Sequence, residues 1–378
     1  MKSAFIYSDY FGAYQLSANH PYDPARGRRT YELCRRYGLL SHPGMEVVEP
    51  VPVTMEELAE VHSGNYLDLL RRASQGEFYL GMLEYGIGTD DCPVFAGILE
   101  FICLCTGATV RAAEMVVDGD CRFAFNPVGG FHHAMRANAE GFCYVNDIAL
   151  IARRWAERGL KVAVVDIDAH HGNGTQDFFY DDPRVLTISF HESGQTLYPF
   201  GGEVGEIGEG KGRGYNINVP MPAMSDDEVF LYAFHEIAPP VLKAFAPDVV
   251  IGVVGVDTFS TDPLTHLRMT NNGYIQAIKT IHKLSPRWLA LGAGGYNMDN
   301  VTRGWTLMWA AVHGLDTQDD HTAVLGGVFI GETDIGLSGL RDMTVRTSGP
   351  EKARALEGAE ASVDFIQDNV FPILGATR

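Results

Sequence analysis

Residues 162–174 read Val162-Ala163-Val164-Val165-Asp166-Ile167-Asp168-Ala169-His170-His171-Gly172-Asn173-Gly174. The first four residues are a short continuous apolar run, which suits a strand covered on both faces, as in a parallel sheet. The run ends in two aspartates and two histidines. Open parallel sheets bind ligands beyond the carboxyl ends of their strands, so this is where reactive groups belong. In an extended chain alternate side chains share a face. Asp168 and His170 would then lie roughly 6.5–7 Å apart along the strand and could close on one cation from the same side.

Three further stretches repeat the arrangement. Val249 to Val254 leads to Gly255-Val256-Asp257, Trp288 to Leu291 leads to Gly292-Ala293-Gly294-Gly295-Tyr296, and Arg122 to Phe125 leads to Gly129-Gly130-Phe131-His132-His133. Val185 to Ile188 is another apolar run. Between the runs lie amphipathic segments, such as Asp226 to Phe245 and Gly273 to Leu284. Ser225, with Glu228 three residues on, reads as a capping box for the first of these. Strand–helix alternation predicts a three-layer α/β fold with a mainly parallel sheet flanked by helices. One domain is expected over residues 1–378, with the motifs in about 1–315 and a helical segment in 316–378 that includes an amphipathic helix from Ala353 to Phe371. Four reactive clusters at equivalent strand ends point to one shared site.

The chemistry of that site follows from the residue types. Asp168 and His170 suit Zn²⁺, at ligand bonds of roughly 2.0–2.2 Å, and Asp257 supplies a third donor from another strand. Three protein ligands leave a position for water, the mark of a catalytic site. Two carboxylates and one imidazole select zinc only weakly, so Fe²⁺, Mn²⁺ or Co²⁺ also fit. The competing reading has Asp166 and Asp168 cap the next helix and leaves His170 a loop histidine. In one cleft, His132 and His133 would have their pKa values driven apart, one serving as base while the other stays cationic or orients the substrate. The Gly292–Tyr296 stretch lets backbone approach a ligand closely, and its phenol could donate to a developing oxyanion. No Lys-Ser/Thr follows it, which disfavours a phosphate loop.

Composition bounds the rest. The chain has 378 residues, 46% of them hydrophobic, a formal net charge of −19 and a pI near 5.0. Such a surface repels a phosphate backbone, so direct nucleic-acid binding is not expected. It could draw cationic substrates such as lysine-bearing tails or polyamines, or simply favour solubility. Six cysteines without a Cys-x-x-Cys pair make no disulfide scaffold and suit a reducing compartment. No stretch reads as a signal peptide or membrane span, so a cytoplasmic protein without membrane contact is expected.

Taken in order, Gly130-Phe131-His132-His133-Ala134, Gly141-Phe142-Cys143-Tyr144-Val145-Asn146-Asp147, the Asp166–Gly174 stretch, Asp257-Thr258 with Asp262-Pro263-Leu264, and Gly294-Gly295-Tyr296 resemble the histone deacetylase family. His20-Pro21 with Pro24 and Arg26 looks like its N-terminal signature. Within the family the chain looks closest to bacterial acetoin-utilisation deacetylases and class I members. The resemblance implies the arginase–deacetylase fold, with one metal at the base of a narrow tunnel held by Asp168, His170 and Asp257. It implies a pair of Asp166 with His132 and of Asn173 with His133, and Tyr296 polarising the acetyl carbonyl. His133, with His132 as second candidate, would be the base. Gly141, Phe142 and Tyr198 match the tunnel lining, and Asp91 the rim carboxylate that holds the substrate backbone. Asp166, Asp168, His170, Ser189 and Phe190 match a K⁺ site.

The implied reaction is removal of the acetyl group from acetyl-lysine in proteins. Acetylpolyamines or other small acetyl amides are the alternative substrates, and a non-enzymatic acetyl-ligand scaffold is a further rival. Three positions depart from the family pattern. Asn173 replaces the Asp of class I members, which should leave His133 less basic. Tyr198 replaces the usual Phe. Leu264 stands where polyamine-selective relatives carry an acidic gate. A binuclear manganese site of the arginase type would need carboxylates where this chain has Gly172 and Phe259.

Overall fold

The structure, a computed structural model, describes residues 1–316 and 339–378. The strands are β1 (Ser3–Ile6), β2 (Met45–Val48), β3 (Phe123–Asn126), β4 (Val162–Asp166), β5 (Val185–Glu192), β6 (Asn216–Met221), β7 (Val249–Val253) and β8 (Trp288–Leu291). The helices are α1 (Arg26–Arg36), α2 (Met55–Leu58), α3 (Gly64–Ser74), α4 (Ile98–Val117), α5 (Asp147–Glu157), α6 (Asn173–Phe179), α7 (Asp227–Phe245), α8 (Asn271–Leu284), α9 (Met298–Val312), α10 (Gly349–Asn369) and α11 (Phe371–Leu374).

The strands form one sheet in the order β2-β1-β3-β8-β7-β4-β5-β6. Every neighbouring pair is parallel. A parallel sheet must be covered on both faces, which is why its strands are apolar throughout rather than alternating. Along β4, Val162 and Val164 join the core built with α3, α4 and α5. Ala163 and Val165 turn the other way, into the core built with α1, α7, α8, α9 and α10. The expected three-layer α/β architecture is therefore what forms, and the four strands that end in reactive groups are contiguous in it, β3-β8-β7-β4.

Two local readings need correction. The N-cap of α7 is Asp226, whose side chain accepts from the Val229 amide. Ser225 instead donates its hydroxyl to the Pro222 carbonyl. Asp and Ser are near-equal N-caps, and here Asp226 is the one also held by Thr347 and Lys352. The C-terminal helix begins at Gly349, with irregular chain over 339–348, and residues 317–338 lie outside the described set. Ala355, Ala359, Val363 and Ile366 form the buried stripe of α10, packed on α7 and β6. Asp226 anchors its start, pairing with Lys352 at 2.5 Å and accepting from the Thr347 amide at 2.9 Å. The six cysteines are all free and buried. No helix among the described residues is long and apolar enough to cross a membrane.

Candidate active site

Beyond the ends of β4 and β7, Asp168, His170 and Asp257 bring one donor atom each to within 4.8 Å of one another. His170 Nδ1 lies 2.9 Å from Asp257 Oδ2 and 3.1 Å from Asp168 Oδ1. Asp257 is 0% exposed and Asp168 1%. The second oxygens are already engaged. Asp257 Oδ1 accepts from the Ala169 amide at 2.8 Å, and Asp168 Oδ2 from the Gly294 amide at 2.6 Å. Those bonds fix each carboxylate so that its other oxygen faces the shared point. Close approach explains two glycines here. A Cβ at Gly294 would stand 2.1 Å from Asp257 Oδ2, and one at Gly255 2.2 Å from Asp168 Oδ2.

The donor set fits a divalent cation. Two carboxylates with a neutral imidazole sum to −2 in a place water scarcely reaches, and buried charge of one sign demands a partner. Without an ion the imidazole has to supply that partner: against its burial, Asp168 and Asp257 raise His170 to about 10, while burial, then the Asp168 charge, push Asp257 up to about 7. Neither aspartate of the motif caps the next helix: the N-cap of α6 is Gly172, without a side-chain bond. Among the described residues, this is the one trio of His, Cys, Asp or Glu so placed. Gly172 offers no ligand, and Phe259 is buried against Tyr274.

Beside the trio stand two imidazoles. His132 Nδ1 donates to Asp166 Oδ2 at 2.7 Å, and His133 Nδ1 donates to Asn173 Oδ1 at 2.7 Å. Their Nε2 atoms are 3.1 Å apart. With both Nδ1 protons committed, one proton serves the two Nε2 atoms. Burial disfavours charge on His132, but Asp166 and Asp168 outweigh it and raise its pKa. Burial, then the neighbouring His132 and His170, hold His133 well below the ordinary value. The pair is thus split into a cationic and a neutral member. Together with Gly141, Phe142, Gly294 and Tyr296 they line a cavity of about 20 Å³, room for roughly one water.

The loop after β8 delivers Tyr296. Its amide donates to Asp262 Oδ2 at 2.8 Å, and the other Asp262 oxygen accepts from the Leu264 amide at 3.0 Å. Burial, then Asp257 and Asp168, push the phenol far above its usual range, so it keeps its proton and remains a donor. Phe142 packs on Tyr296 with centroids 5.6 Å apart, and Tyr198 on His133 at 5.3 Å. Gly141 and Phe142 both adopt positive φ, 52° and 68°. A Cβ at Gly141 would meet His133 Cδ2 at 2.3 Å. Asp91 is exposed at the rim, and its carbonyl accepts from His20 Nε2, whose ring packs on Phe142 at 4.6 Å. Leu264 is half-buried and tied to the site through its backbone. Ser189 is the register partner of Asp166 across β4 and β5. The Phe190 side chain turns into the core against Phe230 and Phe234, and its backbone is in register with Val219 of β6.

Two residues without an assigned role in the sequence join the site. Arg26, fully buried on α1, donates to the carbonyls of Ala293 and Gly295, each at 2.7 Å, and so pins the Tyr296 loop. Glu140 accepts from Asn173 Nδ2 at 3.2 Å. Arg26 belongs to a recognisable motif, but its partners are backbone atoms more than 260 residues away. Glu140 belongs to no motif.

The family described as the histone deacetylase domain matches residues 20–312, the span that contains all of these groups. The chain belongs to the histone deacetylase family. It is 38% identical over 322 residues to the acetoin utilization protein AcuC of Bacillus subtilis (strain 168), a match covering 83% of each chain. It is 36% identical over 320 residues to histone deacetylase 1 of Homo sapiens, covering 84% of this chain and 65% of the human protein. The crystal structure of an HDAC homolog complexed with SAHA superposes with a TM-score of 0.84 at 30% identity, covering 96% of this chain and 100% of the other. The HDAC homolog from Aquifex aeolicus gives 0.82 at 31%, covering 95% and 100%. Members of this histone deacetylase family are metal-dependent hydrolases, and the Asp168–His170–Asp257 trio could hold a metal ion.

Proposed function

We propose that the chain, acting as one catalytic unit over residues 1–378, removes the acetyl group from the ε-amine of acetyl-lysine in proteins. The observation that carries this reading is the convergence of the Asp168–His170–Asp257 trio with two imidazoles, each oriented through Nδ1 by its own partner. Zn²⁺ is the ion of choice for the trio, with Fe²⁺, Mn²⁺ and Co²⁺ admitted by the same donors. Such an ion, when bound, supplies a Lewis acid that polarises the acetyl carbonyl and acidifies a water.

The protein groups do the rest. His133, neutral and with Nε2 unprotonated, accepts the proton from the attacking water and returns it to the departing amine. His132, held by Asp166, keeps a positive charge beside it. The Tyr296 hydroxyl donates to the oxygen on which negative charge develops. Gly141, Phe142 and Tyr198 enclose the lysine stem, and Asp91 at the rim takes the backbone amides around it. Asp166, Asp168, His170, Ser189 and Phe190 provide for K⁺.

Leu264 favours a peptide over a polyamine, since an apolar side chain offers nothing to a second ammonium. Purified protein assayed for acetate release on acetyl-lysine peptides and on acetylpolyamines tests this. A higher kcat/KM for the peptides is expected. A preference for acetylpolyamines overturns the substrate assignment, and release from neither overturns the enzymatic one.

A further inference from the structure

His133 is oriented by an amide, and an amide has two different ends. In the structure Asn173 Oδ1 accepts from His133 Nδ1 at 2.7 Å. Turned over, the same side chain would offer its NH₂ to Nδ1 and hold the imidazole in the opposite tautomer, with Nε2 protonated and useless as an acceptor. A carboxylate in that place has no wrong way round. Asn173 therefore needs a second partner to choose between its two faces.

Glu140 is that partner. Asn173 Nδ2 donates to Glu140 Oε2 at 3.2 Å. A carboxylate only accepts, so it is satisfied by the NH₂ end alone. With the amide reversed, its oxygen would face the carboxylate instead. The backbone of Glu140 is itself pinned by reciprocal bonds with Cys143, of 3.0 and 2.8 Å. It directly precedes Gly141, whose left-handed backbone lies against the His133 ring. The chain His133–Asn173–Glu140 thus starts from a fixed backbone and has a single direction of donation.

We propose that Glu140 is a positioning residue: through Asn173 it selects the tautomer of His133 that leaves Nε2 free to take a proton. The inference rests on the deacetylase reading for its consequence in turnover, but not for the tautomer itself. Two readouts keep these apart.

The first is imidazole ¹⁵N NMR of the metal-loaded protein, which reports the His133 tautomer without any substrate. Wild type should show Nδ1–H alone, and Glu140→Ala a mixture. The second is steady-state hydrolysis of an acetyl-lysine peptide, with metal content and unfolding temperature checked for each variant. Glu140→Ala should lower kcat about tenfold or more with KM within about twofold. Glu140→Gln, whose amide can face either end of Asn173, should also lower kcat, though less than Glu140→Ala. In an Asn173→Asp background the sign should reverse. Two carboxylates then face each other, and Glu140→Gln should raise kcat.

An unchanged tautomer in Glu140→Ala overturns the proposal. So does a Glu140→Gln effect of the same sign in both backgrounds. Absence of wild-type turnover on every acetyl amide overturns the deacetylase reading alone, since the tautomer measurement still decides what Glu140 does.

Discussion

The Nε2 atoms of His132 and His133 stand 3.1 Å apart, so the two rings form one proton-handling unit rather than two independent groups. Removing His133 should cost about 10²–10⁴-fold in kcat. Removing both should cost little more than the worse single variant, because groups acting as a unit lose their effect together. Steady-state kinetics of His132→Ala, His133→Ala and the double variant check this. Costs that multiply would show that the rings act separately.

Tyr296 keeps its proton under the influence of burial and of Asp257 and Asp168. Tyr296→Phe removes that single donor and should lower kcat about 10²–10³-fold. Metal content should stay at the wild-type level, because the phenol is not among the donors of the trio. Wild-type turnover in this variant takes Tyr296 out of the reaction.

One divalent ion per chain is expected by metal analysis, since the described residues hold a single trio. Chelation should abolish activity and lower the unfolding temperature, because an ion bound only by the folded state stabilises it. Adding Zn²⁺, Fe²⁺, Mn²⁺ or Co²⁺ should restore both. Gly294→Ala should weaken metal binding about 10–100-fold, as its Cβ intrudes on both carboxylates. Two divalent ions per chain would revive the arginase-type reading.

Acid stability has a marker in His62, which takes no part in the proposed reaction. Burial holds His62 at about 4, against an ordinary 6.5. Its Nε2 accepts from the Asn146 amide, at the cap of α5. Between pH 6.5 and 4 the unfolded chain binds this proton and the folded chain does not. Stability from this group is therefore complete above pH 6.5 and is lost as pH falls toward 4. One such proton contributes a slope of at most about 1.4 kcal/mol per pH unit. Urea unfolding between pH 7 and 5 should show a shallower decline for His62→Gln than for wild type. Equal slopes would mean that His62 takes up no proton on unfolding.

Much of this was legible in the chain itself, for reasons that can be named. Val162–Val165, Val249–Val253 and Trp288–Leu291 announce themselves because a strand buried on both faces has no room for polar alternation. The pairs His132–Asp166 and His133–Asn173 could be expected from motif resemblance. Strand order was a different matter. Nothing local says that β8 lies between β3 and β7, since that arrangement depends on packing between segments more than 150 residues apart. Arg26 was hidden for the same reason, as its partners are carbonyls and carry no side-chain signature. Ser225 and Asp226 are both good caps, and the choice between them was made by Lys352 and Thr347, far down the chain. Glu140 escaped because a carboxylate that touches only an amide belongs to no spacing rule.

The contiguity of β3, β8, β7 and β4 has a temporal side. His170 is followed by the two outlying strands β5 and β6 before the polypeptide returns to the middle of the sheet with β7 and Asp257. A nascent chain released only as far as β6 has half a coordination sphere, and the glycine loop that locks Asp168 is later still. An ion held by this trio would find its complete set of ligands only once the central strands have interleaved, so its uptake would mark the completion of folding.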